Sequence, residues 1–153
     1  MDPLEHASIP TLLYLALSPV SDFTGIAFLV AGAVFPDLDA LSKEHRSYFH
    51  SLLSFLPAFL AGWHFGGYFY LFALGWLSHL FLDLFTGVLP FFYPIFRKGY
   101  GISVRAVLGL HIPRFHLRII SAYPTPRRDY ELDIGGGLAL SLLTLFVLLL
   151  RLH

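Results

Sequence analysis

Between residues 7 and 35 the chain carries one charged side chain, Asp22, and between residues 134 and 150 it carries none. Runs of this kind must be buried in lipid or against other apolar chain, and in lipid only a helix satisfies its own backbone groups. Composition points to lipid. Hydrophobic residues make up 56% of the chain and charged residues 13%, with a mean hydropathy of +0.69, whereas an ordinary soluble domain carries roughly 25% charged residues. The length of 153 residues suits a single domain, residues 1–153. A net charge of zero and a pI near 7.1 offer no electrostatic basis for nucleic-acid binding. With no cysteine there are no disulfides and no thiolate ligands, so any bound metal is held by imidazole and carboxylate. The opening Met-Asp-Pro-Leu-Glu-His lacks the cations of a signal peptide, so the first apolar stretch is expected to be retained.

Turn chemistry divides the apolar runs. Ser18-Pro19-Val20-Ser21-Asp22 reads as a turn followed by a helix N-cap, which predicts two short helices near 8–17 and 22–35. Each is shorter than the ~20 residues of a full crossing, so the pair is expected to form a shallow hairpin, with a single kinked crossing as the alternative. Residues 49–64 form the next helix, ended by His64-Phe65-Gly66-Gly67, and residues 68–86 are the clearest span before Gly87 and Pro90. Residues 88–96 hold two prolines and are too short to span, which predicts a re-entrant or interfacial segment. A polar insert, residues 97–133, precedes a last span over 134–150. The expected fold class is all-α, an integral membrane bundle of about four to five apolar helices, some of them short or re-entrant.

Residues 97–128 carry Arg97, Lys98, Arg105, Arg114, Arg118, Arg127 and Arg128 with no acidic residue, so the positive-inside rule places the insert in the cytoplasm. Residues 68–86 then run toward the cytoplasm and deliver His79 and Asp83 there. The Gly66-Gly67 turn lies outside, so the helix from residue 49 starts on the cytoplasmic side with His50 in its first turn, preceded by a cytoplasmic loop over 37–48. Three segments thus bring ligand-type side chains to one membrane face. Unpaired ionisable groups cost several kcal/mol in or beside lipid, and a chain this apolar carries them where something binds them.

Asp37, Asp39, His45, His50, His79 and Asp83 are the candidate metal ligands. His79 and Asp83 lie four apart on one helix face, a spacing that grips one ion or makes a simple surface hydrogen bond. Pro36 helps to end the preceding helix and leaves Asp37 and Asp39 on a turn, where aspartate also serves as a cap. His45 and His50 flank a loop-to-helix junction, and imidazole is the commonest protein metal ligand. Arg46, between them, has a guanidinium that matches a phosphate or carboxylate, or pairs with an aspartate or a lipid headgroup. His6 reaches the site only if the first two helices form a hairpin. His64 falls on the opposite side of the membrane, and His111 and His116 lie in the insert, expected to face solvent.

The order Phe35-Pro36-Asp37-Leu38-Asp39, then His45-Arg46-Ser47-Tyr48-Phe49-His50-Ser51, then Ser78-His79-Leu80-Phe81-Leu82-Asp83-Leu84-Phe85-Thr86-Gly87-Val88 resembles the YdjM-type inner-membrane proteins. These are classed as predicted membrane-bound, metal-dependent hydrolases. The resemblance covers about residues 1 to 96. His6 is similar to a histidine these proteins carry near the N-terminus, and Glu131 or Asp133 to an acidic residue entering their last helix. The basic insert with Gly109-Leu110-His111-Ile112-Pro113-Arg114 departs from their pattern.

Residues and resemblance together predict a metal-dependent hydrolase of the cell's inner or plasma membrane, with its site on the cytoplasmic side. Asp37 and Arg46 are expected to act on the substrate. The ligand set admits one or two divalent ions, zinc by preference and manganese or iron as alternatives. Expected partners are membrane lipid and an amphipathic or phosphorylated substrate such as a lipid phosphate ester. Two other classes compete: a membrane scaffold pinned by a structural metal, and an ion or proton transporter. A transporter needs ionisable groups through the depth of the membrane, whereas here they gather at one end.

Overall fold

The computed structural model describes residues 3–18, 22–41, 46–108, 113–123 and 135–152. Five helices, α1 (Pro3–Leu17), α2 (Phe23–Val34), α3 (Leu52–Phe65), α4 (Gly67–Thr86) and α5 (Gly135–Leu152), pack with a two-stranded sheet, β1 (Gly99–Leu108) and β2 (Pro113–Ala122). A 3-10 segment, Phe35–Leu41, continues directly from α2.

The helix boundaries follow local chemistry. Proline at the first position of α1 forfeits only an N–H that has no partner inside the helix. Asp22 caps α2, its carboxylate accepting from the Thr24 N–H at 3.0 Å. Ser51 caps α3 by accepting from the Leu53 N–H at 3.2 Å, and its hydroxyl faces the Phe91 and Tyr93 carbonyls at 3.0 and 3.1 Å. Gly66 and Gly67 take φ of 62° and 54° between α3 and α4, the left-handed region that costs other residues energy. α1 is longer than the sequence indicates. It begins five residues before position 8, because Pro10 inside it removes one backbone donor without breaking the helix.

α2 and α4 approach backbone to backbone. A Cβ on Gly32 would stand 2.0 Å from the Phe72 carbonyl oxygen, and one on Gly75 would stand 2.0 Å from that of Leu29. Small residues permit such contact between apolar helices. Beside this crossing lies the core, Phe55, Ala73, Trp76, Leu80 and Leu89, with Phe35, Phe49 and Phe72 packed against it. The Trp76 indole N–H donates to the Phe49 carbonyl at 2.9 Å, tying the segment before α3 to α4.

The chain reverses at each helix, so the start of α1, the end of α2, the start of α3 and the end of α4 lie at one end. α5 runs beside α1 in the same direction. The Ser8 and Ser141 hydroxyls meet at 2.9 Å, and Arg151 donates to the Ser18 carbonyl at 3.0 Å. The first two helices are therefore a hairpin rather than one kinked crossing. α4, at 20 residues, is the one helix among the described residues long and apolar enough to cross a membrane by length and composition; α3 and the Gly137–Arg151 part of α5 are shorter apolar helices.

The all-α expectation is corrected by the insert, which forms an antiparallel pair in the register Tyr100↔Ser121, Ile102↔Ile119 and Val104↔Leu117. Alternation along Tyr100, Ile102 and Val104, separated by Gly101 and Ser103 and met by Leu117 and Ile119, is a strand period too short to stand out within the polar insert. Leu117 and Ile119 are 74% and 77% exposed on that face. The other face carries Gly99 and Gly101, and Gly101 lies close against the Gly87 carbonyl at the end of α4. Residues 88–96 form turns held to the sheet by a bridge between Leu89 and Tyr100.

Candidate metal centre

Four helix ends and the 3-10 segment converge on Asp83. α1 supplies His6, whose Nε2 stands 3.5 Å from Asp83 Oδ1. The residue before the α3 cap supplies His50, whose Nε2 stands 3.2 Å from Asp83 Oδ2. α4 supplies His79, with Nε2 at 3.7 Å from the same oxygen. The 3-10 segment brings Asp37 Oδ1 to 3.9 Å from His79 Nε2. His6, His50, His79 and Asp83 are each no more than 1% exposed. The His6 and His79 rings stack with centroids 3.8 Å apart.

The outer nitrogens decide what the inner ones present. His79 Nδ1 lies 2.6 Å from the Ala33 carbonyl oxygen, which only accepts, so Nδ1 carries the proton. His50 Nδ1 donates to Asp39 Oδ2 at 3.0 Å in the same way. When neutral, each ring then offers a bare Nε2 lone pair, and the two Nε2 atoms face one another at 3.2 Å. Facing lone pairs repel, and a cation or a shared proton between them relieves the repulsion. Two nitrogens bound at ~2.0–2.1 Å to one tetrahedral ion stand about 3.3 Å apart. The observed separations among His50 Nε2, His79 Nε2 and Asp83 Oδ2, 3.2, 3.2 and 3.7 Å, are close to the edges of such a shell.

Two groups of donors fit an ion, each with atoms within 4.8 Å of one another: His6, His79 and Asp83, and Asp37, His50 and His79. His79 belongs to both. The chemistry of the set also fits, since a charged carboxylate buried among neutral imidazoles is stabilised by a cation. Three buried polar atoms have no hydrogen-bond partner among the described residues: His6 Nδ1, Asp37 Oδ2 and Arg46 Nε. Burial opposes a charge on His50, but Asp39 and Asp83 outweigh it and raise its pKa above the ordinary histidine value; the proton they favour would sit on Nε2, in the place a cation would take.

Arg46 Nη2 donates to Asp83 Oδ1 at 2.9 Å. Its backbone takes φ of 57°, a left-handed conformation that a side chain adopts at a cost of roughly 1–3 kcal/mol. That turn aims the guanidinium back over Asp83. It lies against Gly87, where an added Cβ would overlap Arg46 Nη1 at 1.5 Å. The side chains of Asp37 and Arg46 are 21% and 23% exposed, so the two mark the open side of an otherwise buried cluster.

The sequence-predicted residues thus separate into distinct roles. Asp37, His50, His79 and Asp83 come together. Asp39, expected among the ligands, stands behind His50 instead: its Oδ2 accepts from the Ser47 and Phe49 N–H groups at 3.0 and 2.9 Å as well as from His50. The tight 3-10 turn sets the two aspartates in different directions. His45 lies outside the described residues, as do His111, Glu131 and Asp133. His6, omitted from the ligand set above, is brought in by the α1–α2 hairpin. Partners that orient a ligating histidine typically contribute 10–100-fold to metal affinity. Asp39→Asn is accordingly expected to weaken metal binding by about that factor while leaving the protein folded, as measured by competition with a chelator.

No curated protein and no solved structure matches the chain. A family model described as the YdjM inner membrane protein matches residues 1–152, taking in the basic hairpin along with the histidines and aspartates of the centre. With that match over nearly its whole length, the chain belongs to the YdjM family of inner membrane proteins.

Proposed function

We infer that this protein is a membrane-embedded, metal-dependent hydrolase acting on phosphate esters. The observation that carries the reading is the convergence of two bare Nε2 atoms on Asp83, 3.2 Å apart, beneath an open side formed by Asp37 and Arg46. A structural site would be closed by its own ligands.

His50, His79 and Asp83 would hold the ion, with His6 or Asp37 completing the set; because both donor groups draw on the one free nitrogen of His79, they are alternative shells for a single ion. The ion would supply Lewis acidity and lower the pKa of a water toward ~7. Zinc is the preferred ion, with manganese and iron admitted by the same ligands. Asp37 Oδ2, without a partner among the described residues, is placed to take a proton from the attacking water. Arg46, whose Nε also lacks one, would donate from Nε–H to a phosphoryl oxygen while Nη2 stays on Asp83. The ordered His50–Asp39 and His79–Ala33 pairs keep both rings fixed during turnover.

The membrane placement belongs to the same reading. α4 is long enough to cross ~30 Å of hydrocarbon at ~1.5 Å per residue, and the remaining helices pack around it as an integral bundle. The cations of the hairpin beside the metal centre support a cytoplasmic position for that end, under the positive-inside rule.

The test is hydrolysis of a chromogenic phosphomonoester and phosphodiester by detergent-purified protein loaded with zinc or manganese. Asp37→Asn is expected to lower kcat by ~10²–10⁴, the usual contribution of a general base, with metal retained by His50, His79 and Asp83. Equal turnover by the variant, or none above metal-free protein with either ester, refutes the assignment.

A further inference from the structure

A cavity of about 450 Å³ lies between α1 and α4 with α2 as its floor. Pro10, Leu13 and Leu17 line it from α1, Leu29 from α2, and Leu71 and Leu74 from α4. Almost no polar surface faces it. Water has no partners there, so its complementary occupant is hydrocarbon.

The cavity and the metal centre share one face of α1. Positions 6, 10, 13 and 17 fall on a single stripe of a 3.6-residue helix. His6 occupies the site end of that stripe, and Pro10, Leu13 and Leu17 carry it away. On α4 the cavity begins at Ser78, next to His79, and runs back through Leu74 to Leu71. The two helices touch where His6 stacks on His79 and leave the apolar space beyond it.

Its length selects the occupant. The lined part of the stripe, Pro10 to Leu17, rises ~10 Å at ~1.5 Å per residue, and the turn of α1 between it and His6 adds ~6 Å. One leaflet of a bilayer is about half of a ~30 Å hydrocarbon core, or ~15 Å. Leu13 and Leu17 are 58% and 83% exposed, so the cavity is open along its side, and a chain could enter laterally without leaving the membrane.

The geometry points to a lipid-tail subsite: the substrate is a phosphate-headed lipid of the adjoining leaflet, its acyl chain lying in the α1–α4 cavity and its phosphate reaching Arg46 and the histidine cluster. This rests on the hydrolase reading for the fate of the headgroup, but the tail site stands or falls separately. The chain's residues here do no chemistry; they position the ester by holding its tail.

The experiment uses full-length protein reconstituted in vesicles that contain a phosphatidic acid with a mid-chain diazirine. After irradiation, labelled peptides are mapped by mass spectrometry. Labelling is expected to concentrate on Leu13, Leu17 and Leu74 at several times the level of exposed Leu60 on α3 and Leu145 on α5. Uniform labelling of all exposed helix faces means annular lipid only and overturns the proposal. A second arm fills the cavity with Leu74→Trp and compares a long-chain phosphate ester in vesicles with a short-chain soluble one. Turnover of the long ester is expected to fall at least tenfold, with the short ester and the metal content unchanged; an equal fall for both contradicts a tail site. If wild-type protein hydrolyses neither ester, the hydrolase reading fails, and the crosslinking pattern alone decides the subsite.

Discussion

His79→Ala is expected to purify folded and without stoichiometric metal. His79 is the residue common to both donor groups, so its loss leaves neither with three ligands. Structural zinc in small four-ligand sites is bound with roughly 10–16 kcal/mol, or ~3–4 kcal/mol for each ligand. Removing one weakens binding by on the order of 10²–10³. The variant also loses the imidazole that stacks on His6, while His50 stays held by Asp39. Elemental analysis after gel filtration reads the metal, and circular dichroism confirms the helices. Ser78→Ala is the neighbouring control, because the Ser78 hydroxyl bonds only locally to the Gly75 carbonyl at 2.7 Å. Full metal content in His79→Ala would remove the centre as described.

Gly75→Ala should destabilise the fold by ~3 kcal/mol or more, the upper end of the usual overpacking penalty. The added methyl stands 2.0 Å from the Leu29 carbonyl oxygen and 2.8 Å from the Ala33 nitrogen. Both obstacles are backbone, so no rotamer change relieves them, and α2 must move away from α4. The Ala33 carbonyl that holds His79 Nδ1 moves with it, which couples the helix crossing to the metal centre. Gly62→Ala provides the contrast: its nearest contact is 3.1 Å, which a small shift accommodates. Thermal unfolding in detergent compares the two variants. Equal stability, with metal affinity unchanged in Gly75→Ala, would show that the close crossing does not support the site.

Much of the arrangement is written in residue order. The caps at Asp22 and Ser51 and the left-handed Gly66-Gly67 turn divide the apolar runs into helices that alternate in direction. Alternation carries the histidines and aspartates to one end, as the charge pattern of the insert suggested. What the residue order concealed is local. Asp37 and Asp39 look alike as letters two apart, and only the 3-10 backbone sends one toward His79 and the other behind His50. His6 reaches the site only because the first two helices form a hairpin, a pairing that residue order left open beside a single kinked crossing. The period-two pattern of Tyr100, Ile102 and Val104 is only three apolar residues long, with Gly101 and Ser103 between them, and its partner strand lies more than ten residues on. The Gly32 and Gly75 contacts leave no trace beyond two glycines in apolar helices, because close approach is a property of the pair.

The role of the metal is read most directly by anomalous diffraction from crystals grown with excess zinc or manganese, collected on both sides of the metal's absorption edge. The expected result is a peak within bonding distance of His50 Nε2, His79 Nε2 and Asp83 Oδ2, with at least one position open toward Asp37 and Arg46. No peak, with the two imidazoles still facing each other across a shared proton, would contradict it.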